Sequence, residues 1–195
     1  MAWESLFDGT SLYGWGITGN PESWGVEDGC IVCRAQKGGY LYTEDRSFQN
    51  FVLSLEFKHQ PKANSGVFFR WTDLDDPVQT GMEIQILDTH GREPTTTHCC
   101  GALYDIQAPT RNTCAPAGEW NRMLLTADGP NVTVELNGET VVEVDLSRWT
   151  TPGKNPDGSE NKFEKAYCEM VDAGHLGLQD HGGHCWFREL KVERR

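Results

Sequence analysis

The sequence predicts an all-β fold, a two-sheet antiparallel jelly roll, and three observations predict it. Apolar and polar residues alternate with a period of two in many short stretches, Gly, Pro, Asn and Asp punctuate those stretches, and no segment of comparable length carries the apolar stripe of a helix. Short strands without intervening helices favour a sandwich over any parallel-sheet architecture.

In chain order, the alternation predicts strands over 29–34, 51–59, 66–71, 81–87, 122–127, 132–136, 140–144, 176–179 and 185–192. Between the sixth and seventh of these stands Asn137-Gly138, a pair that readily adopts the positive φ angles of a two-residue hairpin turn. Two stretches, 89–119 and 148–173, read as long loops; loops of that length in a compact domain are more often functional than idle, so they are expected to wall a binding cleft.

The chain has 195 residues, 37% hydrophobic and 24% charged, enough for one substantial core and too few for two; a single domain over 1–195 is expected. With 17 Lys and Arg against 29 Asp and Glu, the formal charge is -12. That field opposes nucleic acid and anionic membrane surfaces, and no apolar run reaches the roughly 18 residues of a membrane span. No basic-then-apolar leader opens the sequence as written, so the chain is expected to be soluble and cytoplasmic, or periplasmic if a signal was removed. Seven cysteines, two of them adjacent, do not make the even framework of a secreted disulfide protein and read as buried free thiols.

Alternation also sorts faces. Glu83 and Gln85 share one side of their strand, opposite Met82, Ile84 and Ile86; Gln179 and His181 lie together opposite Leu178; Glu56 and Arg70 fall opposite apolar neighbours. If these polar faces belong to one sheet, they form a surface of carboxylate, amide, guanidinium and imidazole groups suited to a ligand covered in hydroxyls. The alternative is an ordinary solvated face. Asp180-His181-Gly-Gly-His184 gathers oxygen and nitrogen donors and is the one place a divalent metal ion suggests itself, with Asp180 and His181 as ligands. Strand neighbours point to opposite faces, however, so this pair can share an ion only if the strand has ended. Cys30 and Cys33 have Cys-x-x-Cys spacing without a second pair and lie in a strand; Asn131-Val-Thr is a formal glycosylation sequon at a hairpin edge. Nucleophile-elbow, Walker and dinucleotide motifs are absent, leaving acid–base chemistry by Glu, Asp, His and Tyr as the enzymatic option.

An ordered set of motifs spans the whole chain: Leu6-Phe-Asp-Gly-Thr with Gly14-Trp15, Trp24-Gly-Val-Glu-Asp-Gly29, Phe51 to Phe57, Asn64-Ser-Gly-Val-Phe-Phe-Arg70, Gly81-Met-Glu-Ile-Gln-Ile-Leu-Asp88, Gly101-Ala-Leu-Tyr-Asp105, Pro116-Ala-Gly-Glu-Trp-Asn121, Leu136-Asn-Gly138, Asn161-Lys-Phe163 and Gly177-Leu-Gln-Asp-His-Gly182 with Phe187-Arg188. In their number and order they resemble the bacterial 3-keto-disaccharide hydrolase family. The resemblance implies a concanavalin A-like lectin and glucanase jelly roll with a carbohydrate on one sheet. It also implies action on a glycoside whose glucose unit already carries a ketone at C3.

A C3 ketone acidifies the hydrogen on C2, and the enolate formed by its loss can expel the group at C1. Such a site needs a base near C2, donors or a cation at the C3 oxygen, and a proton source for the departing oxygen. Position by position, the resemblance points to His181 or Glu83 as base or metal ligand, Arg70 as stabiliser of the enolate and Tyr104 as proton donor. Glu56, Gln85, Asp88, Gln179 and Trp71 are the expected substrate contacts. The rival reading is a lectin-like module that binds carbohydrate without chemistry, in which aromatic platforms such as Trp71 or Trp149 would matter more than carboxylates.

Overall fold

The structure, a computed structural model, describes residues 2–36 and 38–195. Its strands are β1 (Glu4–Ser5), β2 (Trp15–Ile17), β3 (Trp24–Glu27), β4 (Cys30–Cys33), β5 (Tyr40–Thr43), β6 (Phe51–His59), β7 (Asn64–Trp71), β8 (Met82–Leu87), β9 (Asn121–Asp128), β10 (Asn131–Leu136), β11 (Glu139–Asp145), β12 (His175–Gln179) and β13 (Cys185–Arg194). Helix among the described residues is confined to α1 (Pro77–Thr80) and three short 3-10 turns. Each stretch expected to be a strand is one. The sequence reading missed β1, β2, β3 and β5, which have two to four residues each, too short for an alternation to register.

The strands form two antiparallel sheets. One runs β11-β10-β9-β6-β13-β4-β3, with β1 also paired to β13; the other runs β2-β5-β12-β7-β8. This is the jelly-roll sandwich expected. β13 reaches three neighbours because a bulge interrupts it at Glu189, where φ is +53°: before the bulge it pairs with β4, after it with β1, and with β6 on both sides. Between the sheets, Phe51, Leu53, Leu55 and Phe57 of β6 and Met123 and Leu125 of β9 face Val67 and Phe69 of β7, Met82, Ile84 and Ile86 of β8, and Leu176 and Leu178 of β12. Burying a side chain of this size contributes about 1.5–3 kcal/mol.

The seven cysteines are free thiols, Cys168 exposed and the others buried. Cys30 and Cys33 sit three apart in β4, which sends them to opposite faces and disposes of the Cys-x-x-Cys pairing. Cys33 lies directly across from Cys185 of β13, and Cys185 across from His59 of β6, whose Nε2 is 3.7 Å from the Cys114 sulfur. The row belongs to the core.

Asn137 and Gly138 both have positive φ, +55° and +85°, and close the β10–β11 hairpin as predicted. The Asn137 side chain does more than permit the turn. Its Oδ1 accepts from Arg122 N at 2.8 Å, and its Nδ2 donates to Thr113 O at 2.7 Å and Asn121 Oδ1 at 2.9 Å. Asn137→Ala loses these bonds and places an ordinary side chain in a left-handed conformation that costs roughly 1–2 kcal/mol, with about 1 kcal/mol for each bond. A drop of about 4–5 kcal/mol in unfolding free energy from urea titration is expected, and a smaller one for Asn137→Gly, which keeps the backbone relaxed.

Candidate active site

The outer face of the five-stranded sheet carries a cleft of about 220 Å³ lined by Tyr40, Asn64, Val78, Glu83, Gln85, Tyr104, Lys162, Gln179 and His181. Pleating and register explain the arrangement. Glu83 of β8 is paired with Phe68 of β7, and Phe68 with Gly177 of β12; one step along, Gln85 is paired with Gly66, and Gln179 of β12 with Tyr40 of β5. Direct partners across strands share a face, so a carboxyl, two amides and a phenol are brought together by the strands alone.

Two glycines shape this floor. A Cβ at Gly66 would lie 2.2 Å from Glu83 Oε1, so Glu83 leans into the room that Gly66 leaves. A Cβ at Gly177 would lie 3.1 Å from the indole of Trp71, which covers Gly177 and packs against Tyr40 and Phe68 at ring separations of 5.1 and 6.0 Å. Tyr40 therefore stands on a bed of aromatic rings, and its hydroxyl accepts from Gln179 Nε2 at 3.3 Å.

With its amide nitrogen turned to the acceptors around it, Gln85 donates to Ser65 O at 2.9 Å and to Glu83 Oε1 at 3.2 Å. At the other end of the cleft the Asn64 amide and His181 Nδ1 are 2.9 Å apart, a contact that orients the imidazole. Asn64 Oδ1 is buried with no hydrogen-bond partner among the described residues, leaving an acceptor for a ligand hydroxyl.

The expected loop walls are present. The segment after residue 100 runs beside β8 as an extra ribbon: Gly101 N donates to Gln85 O at 2.8 Å, Gln85 N to Ala102 O at 3.0 Å and Tyr104 N to Glu83 O at 2.9 Å. This puts Tyr104 beside Glu83. The second loop brings Lys162, held by its own N–H to Asp105 Oδ2 at 2.8 Å and by its carbonyl, which accepts from Gln79 Nε2 of α1 at 3.1 Å. The Lys162 ammonium lies 4.0 Å from the centre of the Tyr104 ring, whose other contact is a stack with His98 at 4.8 Å.

Burial pushes the Glu83 carboxyl up to about 8, with the Lys162 charge pulling weakly the other way. Behind it Tyr167, fully buried, is held protonated first by burial and then by the negative charges of Glu83 and Asp105. Burial also raises the Tyr40 phenol.

Glu83, Gln85, Tyr104, Gln179 and His181 thus meet as expected; other expectations are corrected. Glu56 lies on β6 in the opposite sheet, where it accepts from Arg188 Nε at 2.7 Å on that sheet's outer face; alternation predicted its face but not its sheet. Arg70 takes φ of +51°, breaking the alternation of β7, and its buried guanidinium donates to Gln49 O at 3.0 Å and Gly129 O at 2.8 Å. Trp71 reaches the cleft side in its place but is 0% exposed beneath Tyr40, and Trp149 is 4% exposed, so neither offers a stacking platform. Asp88 accepts from Lys62 N at 2.8 Å and secures the β6–β7 turn. Asp180 turns inward, its Oδ1 accepting from Gly182 N at 3.0 Å and its carboxylate beside the Cys33 thiol, while His181 faces the cleft. The two do not fit a shared ion, and among the described residues no group of three or more His, Cys, Asp and Glu side chains could hold one.

Tyr40, Asn64 and Lys162 were missed. Asn64 and Lys162 stand in motifs of the family resemblance, Asn64-Ser-Gly and Asn161-Lys-Phe163, which was the available signal; Tyr40 lies in a strand too short to be read.

A cleft on the face of a jelly-roll sheet, floored by amides and carrying one basic carboxyl, suits a ligand covered in hydroxyls. The chain belongs to the family described as the 3-keto-alpha-glucoside-1,2-lyase-like domain, which matches residues 2–193. It is 28% identical over 224 residues to a 3-keto-disaccharide hydrolase of Bacteroides thetaiotaomicron, covering 97% of this chain and 77% of that protein. A crystal structure of a Parabacteroides distasonis protein provisionally assigned as a glycosyl hydrolase superposes with a TM-score of 0.88 at 34% identity, over 100% of both chains. A carbohydrate binding module from Bacillus subtilis shares the fold alone, with a TM-score of 0.60 at 12% identity over 92% of this chain and 95% of that one.

The Glu83 shift has a consequence for stability. A carboxyl raised from about 4.3 in the unfolded chain to about 8 in the fold stabilises fully below the lower value and loses that contribution as pH rises through the higher one. Urea unfolding midpoints of the native protein and of Glu83→Gln, compared from pH 5 to pH 9, should show the native protein losing ground steadily to the variant.

Proposed function

We propose that this cleft cleaves the glycosidic bond of a glucoside already oxidised to a ketone at C3, by removing the C2 hydrogen and eliminating the oxygen at C1. The observation that carries the reading is that Glu83 is the only carboxylate among the described residues lining the cleft, and that it is a strong base for a carboxylate. A glycosidase working through an oxocarbenium ion ordinarily needs two carboxyl groups on either side of the bond. Proton abstraction beside a ketone needs one desolvated base. The substrate of the Bacteroides relative, as its name gives it, supports the same class.

In the proposed sequence, Glu83 takes the proton from C2, and the C–H electron pair forms the C2–C3 double bond as the C3 carbonyl becomes an enolate. The enolate then collapses: the carbonyl re-forms, a C1–C2 double bond appears, and the C1–oxygen bond breaks. His181, oriented by Asn64 and open to solvent at the cleft mouth, protonates the departing oxygen. Addition of water across C1 and C2 completes a net hydrolysis. Gln85, Gln179 and Asn64 hold the sugar hydroxyls, and Tyr40 and Tyr104 bound the ring.

A purified sample given a 3-keto-glucoside and its unoxidised parent should release product from the former alone. Glu83→Gln and His181→Ala should each slow release by about 100-fold or more. Deuterium at C2 should slow the native enzyme when that step limits the rate, and kcat/KM should climb with pH up to about 8 as Glu83 ionises. Equal binding of both sugars with no product would establish the lectin-like reading instead.

A further inference from the structure

With Arg70 turned into the protein, the position at the C3 oxygen needs another occupant. We propose that Lys162 is the cation that stabilises the enolate, its ammonium donating to the C3 oxygen of the sugar as charge develops there. The inference rests on the elimination reading above.

Placement follows from the order of atoms in the sugar. C2 must face Glu83, and C1 and C3 leave C2 in opposite directions. The leaving oxygen and the ketone oxygen therefore lie on opposite sides of the base. The cleft is asymmetric in the same sense. Asn64 and His181 hold one end, where β7 begins and β12 has finished; Tyr104 and Lys162 hold the other, beside Glu83 near the start of β8, where the ribbon pairs with it. If His181 serves the leaving oxygen, the ketone falls at the Lys162 end.

Lys162 is the only Lys or Arg among the described residues lining the cleft. It is also held, though exposed: its N–H is fixed to Asp105 and its carbonyl to Gln79, and the N–H of Glu164, two residues on, donates to Gln79 Oε1 at 3.0 Å. Its ammonium rests on the face of Tyr104, a weak contact it can leave for an oxyanion. Exposure limits what the charge contributes in water. A sugar seated between Tyr40 and Tyr104 would displace that water and leave the ammonium facing the enolate, where an oriented donor is worth about 100-fold or more in rate. The ammonium keeps its proton throughout: it donates a hydrogen bond as the C2–H electron pair moves toward the C3 oxygen and relaxes when that carbonyl re-forms.

The test uses two substrates, the 3-keto form of an aryl glucoside and a 3-keto sugar with no substituent to expel at C1, followed with native protein, Lys162→Met and Lys162→Arg. Native protein should release the phenol from the first and exchange the C2 hydrogen of the second with heavy water. Lys162→Met should lower kcat and the exchange rate together by about 100-fold, with KM changed only a few-fold, and Lys162→Arg should recover most of both. Thermal midpoints verify that the variants are folded. If native protein acts but Lys162→Met keeps its exchange rate, or shows only a raised KM, Lys162 is not the enolate cation while the elimination reading stands. If native protein neither releases nor exchanges, both fall.

Discussion

The carboxyl group of Glu83 occupies space that any side chain at Gly66 would take, and the cleft is organised around that exchange. An ionised carboxylate pressed against a sheet is expensive, because the backbone there has already spent its hydrogen bonds on the neighbouring strands. The protein answers with a neutral amide, Gln85, rather than with a paired cation in direct contact. The result is a group protonated through much of the neutral range yet strongly proton-seeking once ionised. A salt bridge in the same place would have produced a quiet, permanently charged Glu.

The two long loops act as one structure. Asp105, in a left-handed conformation at φ +63°, accepts from Lys162 N with one oxygen and faces His98 Nε2 at 3.1 Å with the other. Trp149 Nε1 donates to Asn155 Oδ1 at 2.8 Å, and Asn155 Nδ2 reaches back to Asp105 O. Tyr104 and Lys162 are therefore not free to drift apart, although their loops are separated by three strands of the other sheet and their turns. Walls built this way can vary in sequence while keeping the geometry of the rim.

Alternation made the apolar faces readable: Met82, Ile84 and Ile86 point inward because a pleated strand leaves no other choice, and Glu83 and Gln85 must then point out. Pairing was not readable, because period two says nothing about which strand lies next. Glu56 looks identical to Glu83 on that criterion and belongs to the other sheet. Nor does a residue pattern announce a bulge. A single positive φ at Arg70 exchanged the places of a cation and an indole, and with them the expected roles of both. What alternation could not supply at the site came from ordered motifs, which preserve the loop residue Lys162 and the strand-start residue Asn64 without revealing what they do.

The ribbon that lays Tyr104 beside Glu83 also covers the last strand of its sheet. Left bare, β8 would present unpaired N–H and carbonyl groups, an invitation for another chain to add a strand and begin aggregation. The loop that defines one end of the cleft is thus also the guard of an edge. Shortening or unravelling this loop would uncover that edge as well as remodel the cleft, whereas changes at the opposite end, around Asn64 and His181, carry no such penalty. Sequence change along the rim should therefore be lopsided, concentrated at the end of the cleft around Asn64 and His181, away from the ribbon.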